Sequence, residues 1–151
     1  MDKTDKSILN LLQKNARITH KELAHEMGLS TTPVFERVKK LEKSGIIRNY
    51  VALVDNKKVN KNLIAFISLK LDKHSKGHLI NFQGSITRLN EVMECYHIAG
   101  NTDYMLKVAV ADMDEYKKFM TEKISAIENI SSVDSMFVMD EVKRETAYIV
   151  N

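Results

Sequence analysis

Residues 19–44, THKELAHEMGLSTTPVFERVKKLEKS, decide the fold of the first half of the chain. They read as two short amphipathic helices joined by a glycine turn. Thr19 followed by Glu22 has the spacing of a capping box, in which each side chain accepts from the other residue's backbone N–H. Leu23, Ala24 and Met27 then share one face. Gly28 stands where a helix needs a left-handed residue to stop, and Leu29 is placed to turn inward and anchor the corner. Ser30 is expected to cap the second helix, whose Pro33 falls in the first turn, where the missing amide costs nothing. Val34, Val38 and Leu41 follow the i, i+4, i+7 rhythm of a buried stripe, leaving Thr32, Glu36, Lys39, Lys40 and Lys43 opposite. Short hydroxyl residues at the helix start, with cations further along, suit a helix whose N-terminus approaches base edges while Lys and Arg reach phosphates. The pattern also fits an ordinary helical hairpin with a solvated lysine face.

Working outward, Asp2 to Lys14 carries Ile8, Leu9, Leu11 and Leu12 at helical spacing, with Asp2 and Asp5 at the positive end of the helix dipole. A third helix completes a small head, and Arg17 lies close enough in sequence to the second helix to reach a phosphate. Past Gly45, IIRNYVALVD turns to β-branched and aromatic residues, a strand or winged extension from which Arg48 can touch DNA. The polar stretch NKKVNKN, residues 56–62, has linker composition, which places a boundary near 61/62. Charge supports that division. Residues 1–61 carry 13 Lys and Arg against 7 Asp and Glu, whereas 62–151 carry 10 against 13. A basic head on an acidic body is the electrostatic footprint of a nucleic-acid-binding module joined to something with another task.

The second half alternates strand and helix patterns. Leu63 to Leu71 is a continuous apolar run of strand length, and Gly77 to Leu89 spaces Leu79, Phe82, Ile86 and Leu89 as a helix does. Val92 to Ile98 and Tyr104 to Ala111 form a hairpin about the turn Ala99-Gly100-Asn101-Thr102-Asp103. Asp112 with Glu115 is a second capping box, opening a helix with Tyr116, Met120, Ile124 and Ile127 inward. Val133 to Val142 gives the last strand. The order βαββαβ is the ferredoxin-like arrangement, with two helices on one face of a four-stranded antiparallel sheet. Its other face is bare, and Ile67, Met136 and Val138 are candidates for covering it by self-association. The expected fold is therefore α+β: a winged helix-turn-helix head with hinge over 1–61, and a ferredoxin-like domain over 62–151.

Length and composition bound the rest. At 151 residues, 44% apolar and 28% charged, the chain has the profile of a soluble globular protein. No apolar run is of membrane-spanning length and the opening MDKTDK is charged, so a cytoplasmic location is expected. Cys95 is the single cysteine, which leaves no intramolecular disulfide and suits a small core residue. His74 and His78 straddle Gly77 with no third ligand of obvious geometry, so no metal site is expected. His97 sits in a strand. No phosphate loop, nucleophile elbow or paired acid and base is present, which excludes an enzyme with recognisable machinery.

The motifs DKSILNLLQKNARI, GLSTTPVFERVKKLEKSGII, AGNTDYMLKV and VMDEVKRE, spread over nearly the whole chain, resemble the Lrp/AsnC family of bacterial and archaeal regulators. The phrases STTP, ERVKKLE and MDEVK are most similar to its leucine-responsive branch. The resemblance implies a DNA-binding head, a hinge strand and a C-terminal domain of the RAM type (regulation of amino acid metabolism). It further implies pairing into dimers, assembly of four dimers into an octamer, and an amino-acid effector, such as leucine, with no other cofactor. Carried over by position, Ser30, Thr31, Thr32, Pro33, Arg37 and Lys40 match the family's recognition helix, to which the reading above adds Arg17, Thr19, Glu36 and Arg48. Gly100, Asn101, Thr102, Asp103 and Tyr104 match its effector loop. Gly100 permits close backbone approach, and Asp103 can accept from an α-ammonium group. Where many relatives have Thr-x-Thr on the last strand, this chain has Val133 and Ser135, and Ser135 keeps the one hydroxyl. The implied function is a sequence-specific transcriptional regulator of amino-acid metabolism. Its rivals are a DNA-organising protein that senses nothing and a regulatory subunit of an amino-acid biosynthetic enzyme.

Overall fold

The computed structural model describes residues 1–151. They form two compact units, Met1–Leu53 with Val142–Asn151, and Val54–Glu141. This division differs from the expected 61/62 boundary, chiefly because the C-terminal tail belongs to the head.

In the head, α1 (Lys3–Lys14), α2 (His20–Glu26) and α3 (Thr31–Lys43) enclose Ile8, Leu9, Leu12, Leu23, Ala24, Val34, Val38 and Leu41. Each helix start follows from local chemistry. Asp2 and Asp5 form a reciprocal capping box on α1, and Thr19 and Glu22 form the expected one on α2. Gly28, at φ +63°, ends α2 in a Schellman turn: its N–H reaches His25 and the Leu29 N–H reaches Ala24 at 2.8 Å. Two expectations fail here. Ser30 takes the N-cap position of α3 with an extended backbone but makes no side-chain cap bond, and Leu29 is 43% exposed, so its backbone alone anchors the corner.

Residues 46–55 form no strand, and Val51 and Leu53 are exposed. A strand needs a neighbour for its backbone groups, and no ladder in this chain includes the segment. The tail lies instead along α1. The Gln13 side-chain amide donates to the Tyr148 carbonyl at 2.9 Å and accepts from the Tyr148 N–H at 2.8 Å. Asn10 does the same to Val150 at 3.1 and 3.2 Å. Residues one helical turn apart thus read alternate residues of an extended segment, and Val150 packs against the head's core.

The second unit is the expected βαββαβ. Strands β1 (Leu63–Leu71), β2 (Val92–His97), β3 (Tyr104–Val110) and β4 (Ile130–Phe137) form a sheet in the order β2-β3-β1-β4, with every pair antiparallel. Helices α4 (Lys76–Ile86) and α5 (Met113–Lys118) bury Phe82, Ile86 and Tyr116 among Ala65, Ile67, Leu69, Leu106 and Val108. Ile67 is therefore a helix-side core residue, fully buried, and not part of the bare face. That other face carries Phe66, flanked in register by Lys107 and by Met136, which is 52% exposed.

Two boundaries moved for physical reasons. β4 runs over 130–137 instead of 133–142 because β1 reaches Leu71, where it pairs with Ile130, and begins at Leu63, so that beyond Phe137 only the Val138 N–H still finds a partner, at Ile64. The helix opened by Asp112 widens to a π-helix over Phe119–Ile124, with the Ser125 N–H reaching back to Met120. Phe119 follows the buried Tyr116 by three residues, and the wider turn brings Ile124, five residues on, to the same side, while Met120 is only partly buried. The cap itself is half a box: Asp112 accepts from the Glu115 N–H, but Glu115 accepts from Ala111.

Candidate DNA-binding face and effector loop

Most of the residues expected to meet DNA stand on the head's surface. Arg17, Thr19, Ser30, Thr31, Thr32, Pro33, Glu36, Lys40 and Arg48 are all exposed. Thr19 has its hydroxyl committed to the cap: it accepts from the Glu22 N–H and donates to the Glu22 carboxylate. Arg37 is different in kind. Its guanidinium nitrogen lies 2.7 Å from both the Asp2 and the Asp5 carboxylates, which fastens α3 to the start of α1. The Asp5 backbone N–H and Arg37 hold the Asp2 carboxyl below the usual range. At Asp5 burial pushes upward, and the bonds from Arg37 and the Asp2 N–H outweigh it. Both carboxylates are charged at neutral pH, so a phosphate must compete with them for Arg37, whereas Lys40 is free of such a contest.

Sequence reasoning passed over Phe35, which is 42% exposed on α3. Its ring meets that of His20 edge-to-face at 5.2 Å, and the Lys39 ammonium sits 5.8 Å from its centroid. The polar signal of the surrounding positions masked it, since a single apolar residue next to the buried stripe reads as its edge.

The hairpin loop is built by Asp103. The Ile98 N–H donates to the Asp103 carbonyl and the Asp103 N–H to Leu69, both at 2.9 Å, which closes the turn against the end of β1. One carboxylate oxygen accepts from the Leu71 N–H at 2.7 Å and the other lies 2.9 Å from His74 Nε2. The Leu71 bond is the main reason the Asp103 carboxyl sits below its ordinary range, with His74 adding to it. Gly100 has φ +144°, a backbone that side chains rarely adopt, and an added Cβ would meet nothing within 4 Å, so conformation and not space selects glycine. Asn101 is exposed and Thr102 half-buried, while Tyr104 is a core residue: it stacks on His97 at 4.6 Å, tilts against Phe82 at 4.5 Å, and accepts from Gln83 at 2.8 Å. Ser135 is not brought to this loop. It pairs with Ile67 on β4, across β1 from the hairpin, and bonds the Tyr116 hydroxyl. A separate cleft of about 290 Å³ opens between α4 and the turn before β4, lined by His78, Asn81, Ser85 and Asn129 among others. No group of three or more His, Cys, Asp or Glu side chains is arranged to hold a metal ion, and no helix is long and apolar enough to cross a membrane.

The profile of the Lrp/AsnC ligand binding domain matches residues 64–148, and a winged helix-turn-helix DNA-binding profile matches residues 1–48. The chain belongs to the Lrp/AsnC family. The leucine-responsive regulatory protein of Escherichia coli K12 is 34% identical over 150 residues, which cover 99% of this chain and 92% of that protein. A transcriptional regulator of Neisseria meningitidis, solved as its complex with L-Met, superposes with a TM-score of 0.93 at 35% identity, covering 98% of this chain and 96% of that one. An AsnC family regulator of Agrobacterium tumefaciens gives 0.94 at 38% identity, with 98% and 96% covered. The protein is thus an Lrp/AsnC transcriptional regulator with a DNA-binding head and a ligand-binding domain.

Proposed function

We propose that this regulator reads specific DNA sites as a homo-oligomer and answers to an apolar amino acid, with leucine and methionine the first to test. The observation that carries the reading is the match, across both units, to a regulator solved with L-Met. The loop chemistry supports it. Gly100 leaves room for an α-carbon, turn amides suit a carboxylate, and Asp103 is an ionised acceptor for an α-ammonium. Since Leu71 already occupies one Asp103 oxygen, the ammonium takes the other in place of His74, whose side chain is 55% exposed and can swing away. Ser135 joins such a pocket only when a second protomer supplies it.

Self-association is supported by the sheet face that bears Phe66 and Met136, with Tyr96 also 52% exposed. Dimers, and an octamer of four dimers, present pairs of α3 helices to half-sites about one helical turn or a multiple apart. The experiment is thermal unfolding against the common amino acids. A ligand at a hundred times its Kd stabilises by about 2.7 kcal/mol. A rise in midpoint with one apolar amino acid, lost in Asp103→Asn, supports the reading; no rise with any of them leaves a DNA-organising protein without an amino-acid sensor.

A further inference from the structure

The outer face of α3 is polar except at one position. Phe35 is the only large apolar side chain of that helix left exposed, one residue after the fully buried Val34. A step of about 100° per residue carries its ring out of the core seam to the border between the polar face and α2. It is held there by defined contacts, edge-to-face with His20 and beneath the Lys39 ammonium. Thr31 and Thr32 lie one turn before it and Lys39 one turn after, so the ring sits midway along the helix, on the α2-side flank of the surface that faces DNA when α3 occupies a major groove.

The major groove presents one apolar group, the C5-methyl of thymine, and apolar side chains are its natural partner. We propose that Phe35 reads a thymine methyl in each half-site and is a specificity-determining residue of this regulator. The inference rests on the reading that α3 recognises sequence from the major groove. Lys39 placed over the same ring strengthens it, because a cation held beside the aromatic face is carried toward the phosphates flanking the contacted base.

The test uses duplexes selected by the full-length protein from a randomised library. Each thymine of the selected site is replaced singly by deoxyuridine, which removes the methyl and nothing else. One thymine per half-site is expected to lose about fourfold in affinity, which is about 0.8 kcal/mol for one buried carbon group. In Phe35→Ala the same replacement has no effect, while Phe35→Leu retains part of it. A head that has merely lost packing would weaken on every duplex alike and keep the thymine-to-uracil difference. Equal uracil penalties in wild type and Phe35→Ala overturn the proposal. So does a wild-type scan in which base changes matter but no methyl does, and there sequence reading by α3 survives. If wild type selects no sequence at all, sequence reading falls and the thymine contact with it. If Phe35→Ala fails to fold, Phe35→Leu takes its place: a uracil penalty as large as in wild type overturns the proposal, and a reduced one at the same thymine supports it.

Discussion

Asp103 closes the hairpin loop and is the acceptor proposed for the effector's α-ammonium group, so its substitution makes the most informative perturbation. Leu71 is 4% exposed, so removing the carboxylate that accepts its N–H leaves a buried donor without a partner. An unsatisfied buried donor costs about 1–3 kcal/mol, which sets the expected loss for Asp103→Ala at about 2 kcal/mol. For a chain of this length that lowers the unfolding midpoint by about 4–8 °C. Asp103→Asn keeps a neutral acceptor for Leu71 and loses the charge, so about 1 kcal/mol is expected. The sign with pH follows from the lowered carboxyl. A carboxylate whose folded pKa lies below its unfolded value stabilises above the unfolded pKa, and that stabilisation is lost as pH falls through the folded value. The gap between wild type and Asp103→Asn is therefore full at pH 7 and closes toward pH 3. Circular dichroism melts of the three proteins at both pH values measure it. Equal midpoints for Asp103→Ala and wild type at pH 7, or a gap to Asp103→Asn that is the same at both pH values, would refute the assignment. Only Asp103→Asn separates loss of an amino-acid response from loss of the loop.

Lys40→Ala should lower DNA affinity and reduce the slope of log affinity against log salt by about 0.9, as for one phosphate contact; an unchanged slope in binding titrations removes Lys40 from the contacts. Arg37→Ala should weaken DNA binding and also loosen α1 from α3, whereas Asp2→Asn with Asp5→Asn should raise affinity by freeing Arg37, with wild-type-like affinity counting against that competition. Asn10→Ala with Gln13→Ala should speed hydrogen exchange at the Tyr148 and Val150 amides while the α3 core amides stay protected; undisturbed exchange at both tail amides would mean the tail is held otherwise. Gly100→Ala forces a side chain into a strained backbone and should destabilise by about 1 kcal/mol or more, read as a lowered unfolding midpoint.

What the sequence could show divides along physical lines. Signals carried by residues three or four apart were legible: the Thr19–Glu22 box, the Gly28 stop and the Val34–Val38–Leu41 stripe all appear where periodicity puts them. The order of strands and helices was legible for the same reason. The inward face of β1 was not, because LIAFISLKL is apolar on both sides and alternation has nothing to work with, so Ile67 went to the wrong face. The π-helix over Phe119–Ile124 depends on backbone hydrogen bonding that no side-chain pattern announces. Long-range polar pairs were invisible altogether. Nothing in Asp2, Asp5 and Arg37, 35 and 32 residues apart, marks them as partners, and nothing in Asn10 and Gln13 marks them as the clamp for a tail some 140 residues on. The candidate effector loop emerged as a motif, but the prior engagement of Asp103 with Leu71 and His74 required coordinates.

The central claim is that ligand in the C-terminal domain alters DNA binding by the head. Its most direct test is fluorescence anisotropy of a selected duplex titrated with the full-length protein, alone and with each common amino acid in turn. One apolar amino acid is expected to change the apparent Kd or the steepness of the curve, and Asp103→Asn to bind the duplex without that change. Identical curves with every amino acid would contradict the account.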